Sequence, residues 1–382
     1  MGEDNMPETS EQSAPLELLS DQIQEVFSWH RSRAKCMASI ILTMIRLRSV
    51  NLQRLARELN PDAQQDSNYC RIQRFFRQVP FAHVKLARWM VDQVRQEGRT
   101  VRLYLDRTNW KYGQKDINFL ILAVHYRGCA LPLLWECLEH SGNSSTRLRV
   151  HMVHRVKRLF GPKCKLTLLA DREFLGNDWF KYLKQQGIQP LIRLKKDTLL
   201  TAGTGKKSQV QFLFRKLKPG KFASSGARLV YGANYVVSAY RNFQKELIAV
   251  VHQEGHLSPK EVLGEYATRW KIESLFQHLK SRGFDLEKTR LTRPTRLKKL
   301  IATTALATFW ALKSAHLDYP QGPPPQKNSR LRKSMFNLGL EAISAALILC
   351  VKSPQKLETY VLLLRPPQTL TAPAQIQRRL IC

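Results

Sequence analysis

The spacing of apolar residues divides the chain into stretches of different period. From Leu16 to about Val94 they recur at three and four, in "LELLSDQIQEVFSW", "CMASIILTMIRL", "NLQRLAREL", "SNYCRIQRFFRQV" and "VKLARWMVDQV", which predicts short helices with polar joints. At "TVRLYLDRTNW" the period drops to two. Val101, Leu103 and Leu105 face one way and Arg102, Tyr104 and Asp106 the other, predicting a strand that ends at an acid. "INFLILAVHY" and "CALPLLWECL" follow as strands, "TRLRVHMVHRVKRLF" as a helix, and "KLTLLADREF" as a buried strand that also ends at an acid, Asp171. "GNDWFKYLKQQG" then reads as a helix closed by Gly187, and "QPLIRLKK" as a strand. Three strands followed by helix, strand, helix, strand predict a mixed α/β sheet covered by helices.

Between Lys196 and Glu254, "VQFLFRKL", "ARLVYGANYVVSAYR" and "KELIAVVHQ" read as antiparallel strands joined by Gly-rich and Lys-rich turns, a small β insertion. Helical spacing returns from Pro259 through Arg282 and continues to the Pro-rich "QGPPPQKNSR". A last helix is expected near Met335 to Val351, with the stretch carrying Pro366, Pro367 and Pro373 loose.

Charge changes this picture. The chain has 382 residues, with 62 Lys and Arg against 30 Asp and Glu, a formal net charge of +32 that favours a polyanionic partner, nucleic acid first. All the positive charge lies beyond residue 26, because residues 1–26 hold seven acids and no Lys or Arg, so the amino terminus reads as a disordered acidic tail. The seven cysteines are scattered without a C-x-x-C, which fits reduced thiols in a cytosol better than zinc or disulfides. The longest apolar stretch, "IATTALATFWAL", is too short and Thr-rich to span a bilayer, so no membrane partner is expected.

Candidate chemistry concentrates in three acids and one stripe. Asp106 and Asp171 close two predicted strands, where open sheets carry functional residues. In "YATRWKIESLFQHLK", Tyr266, Arg269, Glu273 and Lys280 fall within about 60° of one another if the segment is one helix. Two readings of that stripe stand: a solvated face with an ordinary i,i+4 pair, or an active-site wall. Three carboxylates opposite a phosphodiester suggest Mg²⁺, a hard ion taking oxygen ligands, with Glu273 as the third ligand.

With these residues the chain resembles the DDE transposases of bacterial insertion sequences, in the subgroup with a Tyr-x2-Arg-x3-Glu-x6-Lys signature (the insertion sequence four family). Tyr266, Arg269, Glu273 and Lys280 match that spacing, and the similarity extends through "LDRTNWKYGQKDINFLILAV", "LLADREF" and "SRGFDLEKTRLT", about residues 100 to 315. The resemblance implies a ribonuclease-H-like core interrupted by a β insertion; 65 positions separate Asp106 from Asp171, and 102 more lead to Glu273, room for it. It implies that Asp106, Asp171 and Glu273 hold two Mg²⁺ ions, with Mn²⁺ as a substitute, and that Tyr266, Arg269 and Lys280 contact DNA phosphates. It also implies double-stranded DNA partners, namely the element's terminal inverted repeats and a target, a homodimer on DNA, and a bacterial cytoplasmic, nucleoid-associated protein. The organisation expected is an acidic tail 1–15, a helical DNA-binding region 16–96, core 97–195 and 257–317, β insertion 196–256, and a Pro-rich linker with carboxyl-terminal helix 318–382.

Other signals are weaker. "TAGTGKKS" has Leu200 where a phosphate loop needs Gly, so it reads as a basic turn. His151 and His154 lack a completing ligand, and Glu173 and Asp178 read as supporting or surface residues. The insertion has no Trp to hold a flipped base, and Tyr231, Tyr235 or Tyr240 are the candidate substitutes. "NLQRLARELNPDAQQDSNYCRIQRFFRQ" reads as helix, turn, helix, capped at Asp66 or Ser67. Arg71, Gln73 and Arg74 would reach base edges with Phe75 and Phe76 as anchors, or else the helix touches only backbone. The functional expectation is metal-dependent cleavage at element ends with strand transfer. The alternative is a non-catalytic DNA-binding protein derived from a transposase, and a structure-specific nuclease is a third reading.

Overall fold

The computed structural model describes residues 13–94, 100–138, 140, 142–255, 257–325, 333–349 and 354–365. Most of the expected acidic tail, part of the Pro-rich linker and the final Pro-containing stretch lie outside the described residues.

Five helices open the described chain: α1 Ser13–Phe27, α2 Arg31–Leu47, α3 Leu52–Glu58, α4 Gln65–Gln78 and α5 His83–Val94. Their apolar stripes bury Ile40, Ile41, Met44, Ile72, Phe76 and Met90 in a shared core. The expected cap at Asp66 or Ser67 is corrected: α4 starts at Gln65 with Gln64 as its N-cap and no side-chain cap bond. The joint is braced instead by Asn68, whose buried amide donates to the Asn60 and Ala56 carbonyls at 2.9 and 3.0 Å.

A ten-stranded sheet follows, in the order β3-β2-β1-β4-β5-β10-β9-β8-β6-β7. β1 Thr100–Tyr112, β2 Lys115–Tyr126 and β3 Cys129–Leu138 form an antiparallel meander. After α6 Thr146–Phe160, β4 Lys165–Ala170 pairs parallel to β1, and after α7 Asn177–Gln185, β5 Gln189–Arg193 pairs parallel to β4. An antiparallel meander continued by parallel strands through helical crossovers is the ribonuclease-H-like mixed α/β arrangement.

Residues 199–252 extend that same sheet through β6 Leu199–Thr201, β7 Lys207–Gln209, β8 Phe222–Val230, β9 Ala233–Arg241 and β10 Leu247–His252, the last pairing antiparallel with β5. "VQFLFRKL" is not the expected strand. Val210–Leu213 is a helical turn, α8, because Val210 folds into the core while Phe212 stays exposed, a pattern with no period of two.

α9 Pro259–Ala267 begins at a capping box of Ser258 and Glu261, and α10 Trp270–Leu279 follows. α11 Pro294–Asp318 is buried along most of its length and packs on β3 and on α12 Met335–Leu349. Gly339 allows that packing, since a Cβ there would meet the Ala311 carbonyl oxygen at 1.8 Å. α13 Pro354–Leu362, beyond the helix expected to be last, closes the core with Leu357, Tyr360 and Val361, held by the Trp310 indole donating to the Tyr360 carbonyl. Among the described residues no helix is long and apolar enough to cross a membrane.

Candidate active site

The expectation that β1 ends at Asp106 is corrected: the strand runs on to Tyr112, paired with β2. What ends there is the parallel pairing with β4, whose last pair is Leu105 with Ala170. Asp106 and Asp171 therefore come next in register, side by side at the point where the two strands part. Each carboxylate accepts the following backbone N–H at 2.8 Å, from Arg107 and Arg172.

One face of β1 fastens the segment that brings Glu273. Arg102 forms a bidentate ion pair with Glu265 of α9, the Tyr104 hydroxyl meets the Thr268 hydroxyl at 3.4 Å, and Asp106 meets Arg269 at 3.3 Å. Residues at i, i+2 and i+4 of a strand thus grip Glu265, Thr268 and Arg269 in turn.

The segment is not the single helix expected from Tyr266 to Lys280. α9 stops at Ala267 and α10 starts at Trp270, and across the joint the bonds tighten to three residues, Arg269 N–H to Tyr266 at 2.9 Å and Lys271 N–H to Thr268 at 3.0 Å. The Thr268 hydroxyl donates to the Glu265 carbonyl at 2.7 Å, taking the acceptor that Arg269 N–H would use in a continuous helix.

Arg269 lies between two of the acids. Its side chain is only 9% exposed and donates to Glu273 at 2.7 Å and to Asp106 at 3.3 Å. The Tyr266 ring lies 6.0 Å from the guanidinium. Burial pushes the Tyr266 hydroxyl up to about 12, so it remains a donor at neutral pH. Burial also raises the Asp106 carboxyl to about 6; the Arg107 N–H and Arg269 oppose the rise, while Glu173 and Asp171 add to it. Glu173 is itself held by Arg107 through two 2.7 Å bonds. Lys280 stands just past α10, its ammonium donating to the Asn109 carbonyl at 2.7 Å and pairing with Glu287 at 3.2 Å.

Oxygen donors from Asp106 and Asp171 suit a hard divalent cation, and such a cation would offset the burial, and to a lesser degree the neighbouring carboxylates, that push Asp106 up. Among the described residues no three acids, histidines or cysteines are gathered closely enough to hold an ion as they stand, and Arg269 stands between Asp106 and Glu273.

Residues 97–310 match the family described as "Transposase DDE domain". The chain belongs to this family of DDE transposases. No curated protein matches the sequence. Among solved structures it is similar to a piggyBac transposase in a synaptic complex with hairpin DNA, determined by cryo-electron microscopy, at 11% identity, covering 95% of this chain and 87% of that one, with a TM-score of 0.47.

In this DDE transposase Arg71 and Arg74 stand apart from the carboxylates, exposed on α4, where with Arg33 of α2 they line a groove of about 290 Å³. Phe75 and Phe76 are buried behind them. Of the aromatics weighed in the insertion, Tyr235 is buried with its hydroxyl on the Phe180 carbonyl, Tyr231 packs on Phe180, and Tyr240 stacks on Phe222. Sequence reasoning passed over Trp270, 63% exposed at the head of α10 with the Arg269 guanidinium 5.5 Å from its ring. It also passed over the Arg102–Glu265 and Arg107–Glu173 braces, which link residues 163 and 66 positions apart and leave no periodic trace.

Proposed function

We propose that this protein is a transposase of the insertion-sequence subgroup marked by the Tyr, Arg, Glu, Lys signature, cleaving DNA at its element's ends and joining the freed ends to target DNA. The observation that carries the reading is that one buried arginine joins Glu273 to Asp106, which is next in register to Asp171, an arrangement that a DNA-binding protein without catalysis does not need.

In the reaction, water adds to the phosphorus at the element end and the 3′ oxygen leaves as a hydroxyl. That hydroxyl then attacks a target phosphodiester, whose own 3′ oxygen departs. Mg²⁺ ions held by Asp106, Asp171 and Glu273, or Mn²⁺ in their stead, would activate the attacking oxygen and stabilise the leaving one. Arg269 presents a planar fork suited to two phosphate oxygens, and exchanging its carboxylate partners for phosphate frees Glu273. Tyr266 donates from a fixed ring. Lys280 has three N–H donors, and its two partners leave one for backbone phosphate. The described helices around Arg71 and Arg74 are the candidate reader of the terminal repeats, and a homodimer on two DNA ends is the expected working form.

The test uses labelled duplexes carrying the sequences that flank the gene, a supercoiled target, and Mg²⁺, Mn²⁺ or EDTA. Cleavage and joining should require the metal, and Asp106→Asn, Asp171→Asn and Glu273→Gln should each lower them by at least a hundredfold while leaving DNA binding intact. Metal-independent binding with no cleavage by the unaltered protein would favour the non-catalytic alternative, and cleavage without joining would favour a nuclease.

A further inference from the structure

α10 has a second face. Lys271, Ser274, Leu275 and His278 follow at i, i+3, i+4 and i+7 on the side turned away from Glu273, and they line a cavity of about 720 Å³. Its other walls are the turn between β2 and β3, the carboxyl-terminal end of α11 with the Pro320–Pro323 segment after it, and the start of α12 at Ser334 and Met335. Arg127, Lys271 and Arg282 all line this cavity, and no Asp or Glu does so among the described residues. Lys271 and Arg282 are exposed and form no ion pair among the described residues, although the same chain pairs Arg102, Arg107, Arg193 and Arg269 with carboxylates. The like charges of Lys271 and Arg282 beside such a hollow repel one another unless an anion joins them.

The cavity is also built rather than incidental. Arg127 and Gly128 both have positive φ, 43° and 79°, in a two-residue turn, a conformation that disfavours an arginine. That turn is tied down by the buried His316 ring, whose Nε2 meets the Arg127 carbonyl at 3.2 Å while Nδ1 meets the Leu312 carbonyl at 2.7 Å. The floor is apolar: Leu275 and Leu312 are buried, and the His278 ring stacks on Phe336 at 4.5 Å. Exposed cations beside buried apolar side chains and a stacked ring match the two halves of a nucleotide, a phosphate and a base with its sugar.

We propose that this cavity is a phosphate-binding site for a nucleotide unit, separate from the catalytic carboxylates and on the opposite face of the helix that carries Glu273. The same chemistry is offered by a second length of DNA backbone and by a free nucleotide. The DNA source rests on the transposase reading, whereas the site itself does not, so binding is measured without metal and therefore without cleavage.

The full-length protein in EDTA is titrated with a labelled duplex lacking element sequence and, separately, with labelled deoxyadenosine monophosphate, while acylation of Lys271 is followed by mass spectrometry. Lys271→Glu with Arg282→Glu is compared with the milder Lys271→Gln with Arg282→Gln, both replacing exposed side chains and both checked for an unchanged melting curve. If DNA is the ligand, duplex affinity falls about tenfold in the charge-reversed protein, its salt dependence becomes shallower by about 1 to 2 logarithmic units, and duplex protects Lys271 in the unaltered protein. If a free nucleotide is the ligand, monophosphate binding and its protection of Lys271 are lost while duplex binding is unchanged. Unchanged affinity for both probes in both variants, with Lys271 equally reactive throughout, overturns the site. Absence of metal-dependent cleavage by the unaltered protein, with these binding results intact, would instead count against the transposase reading alone.

Discussion

Arg269 joins carboxylates from β1 and α10 through a single guanidinium, and in the proposed function it competes with a divalent ion for them. Removing it leaves Asp106 beside Glu173 and Asp171 with no neighbouring cation on that side, and Asp106 is only 17% exposed. Breaking a buried pair is costly, although Glu273 at 32% exposure is partly screened, so Arg269→Ala should destabilise the protein by about 2 kcal/mol. Mg²⁺ should recover more stability in that variant than in the unaltered protein, because the ion supplies the missing charge and its binding adds to stability. Thermal melts with and without Mg²⁺ decide the matter. A metal-induced shift no larger in the variant would mean that arginine and ion do not share the place.

At the scale of elements, the joint between α9 and α10 and the exposed face of α4 carry separate tasks. The joint aims Arg269 and Glu273 at β1 and has no means of reading base sequence. α4 presents Arg71, Gln73 and Arg74 to solvent while Ile72, Phe75 and Phe76 fix its other side, so its basic face is held in one orientation. A phosphate contact would weaken binding to all duplexes alike, but a base-edge contact weakens only the cognate sequence. Arg74→Ala is expected to lose about 1 to 3 kcal/mol on the element's terminal sequence, and much less on random duplex, in an anisotropy titration. Equal losses on both would reduce Arg74 to a backbone contact.

Across the whole molecule, buried titrating groups set the response to acid. Burial lowers both His83 and His278 to about 4, for His83 together with nearby Lys298 and for His278 together with Arg282. Both rings are neutral in the fold at pH values where the unfolded chain already takes up protons. The stability they contribute is present above about 6.5 and lost as pH falls towards 4. Asp106 has the opposite sign, since the fold binds its proton near 6 and the unfolded chain only near 3.8, so its cost is relieved over part of the same range. Burial also lowers His252, so three groups against one predict a melting temperature that declines from pH 6.5 to 4, with a shallower decline in His83→Gln. An identical slope in that variant would show that His83 does not govern the response.

Much of this was legible from order and period alone. The alternation around Asp106 and the buried run before Asp171 marked both strands, and with the Tyr, Arg, Glu, Lys spacing they singled out three candidate acids, because periodicity and motif spacing are local properties of the chain. The helical turn at Val210, the extra helix α13 and the joint at Thr268 were not legible, since each arises where a tertiary partner or a competing side-chain bond overrides local preference. The chain's own order of residues carried the fold class, the family and the excess of positive charge, and it marked the three acids as candidates. Only the tertiary structure decided that Arg269 also reaches Asp106, that Lys280 docks on β1, and that Lys271 and Arg282 gather with Arg127 around a hollow lined by no acid among the described residues. The physical reason is distance along the chain: a charge acquires its partner through sheet register and helix packing, which bring together residues more than a hundred positions apart.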